Sequence, residues 1–295
     1  MAQPQSTGHG IAVLVIGLFL FSLLDVVSKL LGPLMPVSQI LWVRFLAFVP
    51  LALLMAWRPG QGIAWRTRRP FLQASRGLLL VIEMGMFVWA FKTMPLADVQ
   101  AIAAATPLMV MALSVPMLGE TVGWRRWLAI AVGFAGVLLI VRPGFQALGI
   151  GTLVALGGAV LWAFYQILLR LVGRDDSAST TAVWSAVMGA IATSFVAPFD
   201  WVSPTPYGWL LLAAAGLLGA LGHTIYSRAF VYAPAGTLQP FTYLMLVFAV
   251  IFGWLIFDHL PDMWTFLGSG LIVGSGLYAL HRERLRQAMA RAPEI

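Results

Sequence analysis

The sequence predicts an all-α integral membrane protein, with ten transmembrane helices arranged as two inverted five-helix repeats. Three observations predict it. Apolar residues make up 60% of the 295 positions and charged residues only 10%, with a mean hydropathy of +0.90; a soluble domain has roughly 45–50% apolar and about 25% charged residues. The chain is also similar to itself: a shift of 139 residues lays Ala90-Phe91-Lys92-Thr93-Met94-Pro95 on Ala229-Phe230-Val231-Tyr232-Ala233-Pro234 and Gln100 on Gln239. A shift of 141 lays Gly17, Leu20, Lys29, Leu30 and Gly32 on Gly158, Leu161, Arg170, Leu171 and Gly173. Finally, the basic residues alternate between loops in a way that orients the chain in a bilayer.

A bilayer core takes about 20 apolar residues per helix. Ten stretches meet this need: 11–31, 37–57, 71–91, 96–118, 124–141, 149–172, 179–199, 207–227, 235–257 and 261–281. They lack the period-2 alternation of barrel strands and are too long for them. The first contains Asp25 and Lys29 and follows no basic n-region, so it reads as a retained span rather than a signal peptide. The halves divide as 1–145 and 146–281, and 282–295 forms a basic tail.

With the N-terminus inside, twelve basic residues fall on the inner face: Arg58, Arg66, Arg68, Arg69, Arg125, Arg126, Arg174, Arg228, Arg282, Arg284, Arg286 and Arg291. Only Lys92 and Arg142 fall outside. That bias places both termini in the cytoplasm. Five spans per half is an odd number, so the second half inserts upside down relative to the first. Inverted halves are the usual plan of a secondary transporter, with a midplane site that opens alternately to either side.

Other classes lose ground. The net charge of +7 is spread over the loops rather than gathered into a nucleic-acid patch. With no cysteine there is no disulfide, thiolate metal site or thiol nucleophile. HExxH, GxSxG and phosphate-binding loops are absent, so neither an intramembrane enzyme nor direct use of ATP is expected. No cofactor or metal is expected.

Several motifs resemble those of one known family. The stretch from Ala101 to Gly136 holds Thr106-Pro107-Leu108, then Gly119-Glu120, then Gly133 and Gly136, and Val141-Arg142-Pro143-Gly144 closes it. Span two carries Arg44-Phe45. The second half has Gln239-Pro240-Phe241-Thr242-Tyr243, then Asp258-His259-Leu260-Pro261-Asp262, and Gly274-Ser275-Gly276-Leu277-Tyr278 running into Arg282-Glu283-Arg284. Together they resemble the drug/metabolite transporter superfamily, in its EamA branch, over nearly the whole chain. One departure is that Gly119-Glu120 becomes Asp258-His259 in the second half. The resemblance implies a central cavity between the halves and transport of a small metabolite, commonly export. Amino acids and nucleotide-like or vitamin-like molecules are all within the branch.

Charges inside spans point to the site, because a charge at mid-bilayer costs roughly 2.5–3.5 kcal/mol even on the lenient insertion scale. Glu83 near the middle of span three is the first candidate for substrate or proton binding. Asp25, Lys29, Arg44 and Asp98 fall in the outer half and form an expected outer gate or ion-pair network, and Arg170 is the inner gate candidate. Arg76 also lies within a span. The expected cavity wall takes Phe87, Trp162, Tyr165, Tyr226 and Tyr243 for aromatic surface, and Gln100, Gln166, Gln239 and His223 for polar groups. Trp124, Trp127, Trp201, Trp209 and Trp264 sit near span ends and suit the membrane interface. Pro107, Pro116 and Pro240 are expected to break helices beside the cavity. Gly270 and Gly274, at GxxxG spacing, suggest close helix packing within the chain, with dimerisation as the alternative. The expected substrate is a small zwitterionic or aromatic metabolite such as an amino acid. Nucleoside-like, flavin-like and cationic compounds remain as alternatives, as does a non-transporting receptor. The expected setting is the inner membrane, among lipid, as a monomer or homodimer.

Overall fold

The computed structural model describes residues 7–58, 60, 62–120, 123–142, 149–233 and 235–291. Pro143, Gly144, the 145/146 boundary between the halves and the last four residues of the tail lie outside them, as do the tail side chains after Arg282. The first half contains α1 (Thr7–Leu31), α2 (Val37–Ala56), α3 (Pro70–Thr93), α4 (Leu96–Ala103), α5 (Thr106–Leu118) and α6 (Trp124–Val141). The second contains α7 (Ile150–Val172), α8 (Ala178–Ser194), α9 (Pro206–Tyr232), α10 (Ala235–Leu238), α11 (Leu244–Phe257) and α12 (Met263–Arg291), with a 3₁₀ turn over Gln239–Tyr243. The described non-helical pairing is one short ladder, Trp57–Arg58 against Gly62–Ile63, between α2 and α3.

Nine helices among the described residues are long and apolar enough to cross a membrane. The expected seventh span is the exception. Hydropathy predicts it over 179–199, but α8 stops at Ser194 after 17 residues, about 25 Å at 1.5 Å per residue. The chain then turns through Val196, Ala197 and Phe199, whose amides bond to Thr193 and Val196 carbonyls three or four residues back.

Proline explains the broken spans. Pro107 has no N–H to offer and its ring would strike the carbonyl four residues back, so the fourth span divides at Ala104–Ala105 into α4 and α5. Pro240 sits in the first turn of the 3₁₀ segment that precedes α11. The mated ends also agree. Gly119 closes α5 at φ 70° and Asp258 closes α11 at φ 49°, so the departure from Gly-Glu keeps the left-handed cap, which aspartate tolerates better than most residues.

Packing respects the same repeat. α1 lies on α9 as α3 lies on α7; α2 on α9 as α8 on α3; and α1 on α11 as α7 on α5. α2 packs on its own mate α8, and α6 on its mate α12. In the last pair the backbones meet, for a Cβ placed on Gly136 would come within 2.6 Å of the Gly268 carbonyl oxygen, and one on Gly268 within 2.6 Å of Gly136 O. The GxxxG glycines are not part of this contact. A Cβ at Gly270 or Gly274 would meet nothing within 4 Å, so the expectation of close packing inside the chain is corrected: both face outward. Buried apolar clusters hold the bundle, one around Val99, Ile102, Ala159 and Ala163 and another around Met35, Ile40, Phe45, Leu212 and Ala215.

Candidate functional site

A cavity of about 370 Å³ lies between the two halves, within the roughly 300–1,000 Å³ range of small-molecule pockets. The proline breaks bring interrupted helix to its wall, with Ala104 at the α4–α5 break and Thr106 and Pro107 in the first turn of α5 from one half, and Gln239 and Thr242 of the 3₁₀ turn from the other. Backbone freed at membrane depth is tolerated where it lines such a space.

All ten residues expected on the wall are there: Glu83 and Phe87 from α3, Gln100 from α4, Trp162, Tyr165 and Gln166 from α7, His223 and Tyr226 from α9, Gln239 and Tyr243 from the 3₁₀ turn. Trp162 and Tyr165, three apart on α7, stack with ring centroids 5.0 Å apart and planes within 8°. His223 meets Phe48 edge-on at 5.1 Å, and Phe21 lies 5.7 Å from Tyr226.

The charged groups divide into two sets. Asp25, Arg44 and Glu83 line the cavity. Gln100 Nε2 donates to Asp25 Oδ2 at 2.7 Å. Arg44 lies within electrostatic reach of both carboxylates, yet among the described residues no ion pair joins it to either. Glu83 is only 6% exposed, and its Oε2 has no hydrogen-bond partner. Thr106 Oγ1 and Tyr243 Oη are likewise buried without one. Such groups are expensive to strand; Glu83 and Thr106 line one cavity, while Tyr243, on the same wall, packs its Oη against Gly276 of α12.

Lys29 and Asp98 belong elsewhere. Lys29 Nζ donates to Phe91 O at 2.9 Å and to Met94 O, tying α1 to the end of α3, and lies 5.4 Å above the Phe257 ring. Asp98 is its electrostatic neighbour and faces His259, Asp262 and Thr265. Nearby, Arg142 donates to Asp262 and pairs α6 with the start of α12. Burial is the largest single influence on Asp262 and works against its charge, but the bonds from Arg142 and Thr265 together outweigh it and hold the carboxyl below the usual carboxylate range. The quartet expected as one network is therefore a cavity pair and a separate cluster at the end of the bundle.

Arg170 pairs with Glu120 at 3.5 Å, with both side chains about half exposed. Exposed pairs are worth little, about 0–1 kcal/mol. Arg170→Ala is therefore expected to change thermal stability by less than about 1 kcal/mol, and a melting curve of the purified variant checks it.

Arg76 has the richest set of partners, and sequence reading gave it no role. It is fully buried. Nη1 donates to Tyr165 Oη at 2.8 Å; Nη2 donates to Gln73 Oε1, Thr181 O and Ser185 Oγ at 2.8–2.9 Å. No carboxylate pairs with it among the described residues. Gln73 Nε2 in turn donates to Asp176 Oδ2 at 2.8 Å. The available signal was helical spacing: Gln73 and Arg76 lie three apart on the face that also presents Glu83.

A multi-pass helical bundle around a polar, aromatic cavity defines a membrane protein built to hold a small solute. The pattern of the EamA-like transporter family matches residues 8–142 and again 149–280. The chain belongs to that family. It is 28% identical to the S-adenosylmethionine uptake transporter of Rickettsia felis over 284 residues, 95% of this chain and 96% of that one. It is 31% identical to the riboflavin transporter of Vibrio cholerae, over 72% of this chain and 70% of that one. It is 27% identical to the pseudopaline exporter of Pseudomonas aeruginosa, over 90% and 93%. A solved crystal structure covers 95% of this chain and 99% of its own at 19% identity, with a TM-score of 0.65, which shows the fold. The protein is a multi-pass membrane protein and a metabolite transporter by family.

Proposed function

We propose that the chain is a secondary transporter of the inner membrane that moves a small zwitterionic or aromatic metabolite by alternating access. The observation that carries this is the company of Arg44 and Glu83: a guanidinium without an ion pair and a carboxylate oxygen without a partner, facing one cavity beside a stacked aromatic pair. A solute with an acceptor for Arg44, a donor or cation for Glu83 and a planar part against Trp162 and Tyr165 satisfies all three. Gln100, Gln166 and Gln239 supply further hydrogen bonds from the wall. An amino acid or related compound meets the charge requirement. The near-parallel stack favours a second reading, a nucleoside-like or flavin-like solute, and the names of the relatives support that reading as well.

The membrane arrangement follows from the charges and the packing. Ten spans with both termini cytoplasmic are proposed, α8 being the short one. The twelve-to-two division of basic loop residues supports the orientation. Helix contacts that survive exchange of the halves support a pseudo-twofold relation, and five spans per half make it an inverted one. Net direction then follows the solute gradients.

A thermal-shift screen of the purified protein against S-adenosylmethionine, riboflavin, amino acids, nucleosides and organic cations tests the reading. A ligand at 100 times its Kd stabilises the native state by about 2.7 kcal/mol, and the shift is expected for at least one compound. A well-folded protein that none of them stabilises would sink the substrate classes named.

A further inference from the structure

The junctions that close the cavity at its two ends are chemically unlike. At the end where α3 begins, α3 meets α8 through polar groups: Gln73 and Arg76 on one side, Thr181, Ser185 and Asp176 on the other. Arg69 Nε pairs with Asp175 Oδ2 at 2.7 Å just beyond, at the surface. The repeat carries this junction to the other end of the bundle, where α9 meets α2. There the mates of Gln73 and Arg76 are Leu212 and Ala215, the mates of Asp176 and Thr181 are Met35 and Ile40, and the mate of Ser185 is Arg44, which lines the cavity. The first four are buried in one apolar cluster.

The two junctions respond to water oppositely. Parting α9 from α2 brings apolar surface into water, which is unfavourable in proportion to the area exposed. Parting α3 from α8 exchanges protein hydrogen bonds for bonds to water, which returns most, though not all, of their strength. It also rehydrates a guanidinium that is fully buried, lacks a carboxylate, and leaves its Nε without a partner. An ion taken out of water without an opposite charge is the least stable part of a closed junction.

We infer that Arg76 is a positioning residue for the transport cycle: its unpaired buried charge biases the empty protein to open at the α3–α8 junction. The inference rests on the alternating-access reading above. Arg76 does not line the cavity. It acts through Tyr165 and Ser185, which do, so a solute that engages them meets the group that sets the bias.

The absence of cysteine makes the test clean. Ala103→Cys on the cavity wall is labelled with a membrane-impermeant maleimide, from each face separately, in ligand-free cells and inverted vesicles. Arg68→Cys in the exposed loop before α3 reports which face that end occupies. Ala103→Cys is expected to label faster from the face where α3 begins. Arg76→Met removes the buried charge, and the double variant Gln73→Glu/Asp176→Asn gives it a carboxylate at the position of its present acceptor without setting that carboxylate against Asp176, to which Gln73 Nε2 now donates. Both are expected to slow labelling from that face several-fold while leaving the opposite face no slower. Should Arg76→Met fold poorly, the double variant still decides the matter, since it keeps the arginine. Faster labelling in Arg76→Met would make Arg76 a latch and overturn the inference. Equal labelling from both faces, or no response to the double variant, would overturn it too. A cavity reached from one face only, in every variant, would instead refute alternating access.

Discussion

Glu83→Gln and Arg44→Ala are each expected to lower solute flux by about ten- to a hundredfold, while the variants still fold and insert. The expectation follows from what these two groups lack. Hydrogen bonds to a charged group are worth about 1.5–3 kcal/mol, and each 1.4 kcal/mol or so is a factor of ten in rate or affinity. Glu83 Oε2 has no hydrogen-bond partner to lose, so Glu83→Gln acts on the solute rather than on stability. Arg44 is the cation within electrostatic reach of Asp25 and Glu83, so Arg44→Ala also lowers the melting temperature. Flux in proteoliposomes, set beside melting curves of the same preparations, separates the two. An unchanged flux in both variants would remove them from the site.

The second large effect is on stability. Gly268→Leu is expected to push α12 away from α6, because the carbonyl of Gly136 occupies the space a side chain would need. Overpacking of this kind is destabilising by about 1–3 kcal/mol, and backbone atoms move aside less readily than a flexible side chain. Close approach of small residues is also the main source of helix association in lipid. Gly270→Leu, two positions away on the open face, is expected to change stability by about 0.5 kcal/mol or less. A melting curve that dropped equally for both variants would show that the α6–α12 contact is not what these glycines decide.

That contrast shows where sequence reading ends. Hydropathy and the internal repeat carry nine long apolar helices, the helical class and the family resemblance, because lipid demands long apolar runs and the repeat copies them. The ten wall residues were legible too, as aromatic, amide and ionisable groups deep in spans. Which face of an apolar helix meets protein and which meets lipid is not legible, since both are apolar; Gly268 and Gly270 look alike in the sequence and do opposite things. The end of α8 was misplaced for a similar reason: Phe195, Val196 and Ala197 are oily enough to continue a span, but the chain turns there. Arg76 escaped because the sequence invites a search for its carboxylate. Its partners are a phenol, an amide, a hydroxyl and a carbonyl drawn from α3, α7 and α8. Lys29 likewise bonds backbone carbonyls, which no residue pattern reveals.

Counterflow in proteoliposomes tests the central claim most directly. Vesicles loaded with unlabelled S-adenosylmethionine, riboflavin or an aromatic amino acid are presented with a trace of the labelled compound. A carrier that exposes one cavity to alternate faces accumulates the label transiently for at least one of them, and Glu83→Gln is expected to slow that accumulation by about ten- to a hundredfold. Accumulation at the wild-type rate in both Glu83→Gln and Arg44→Ala would show that solute crosses by a route other than this cavity.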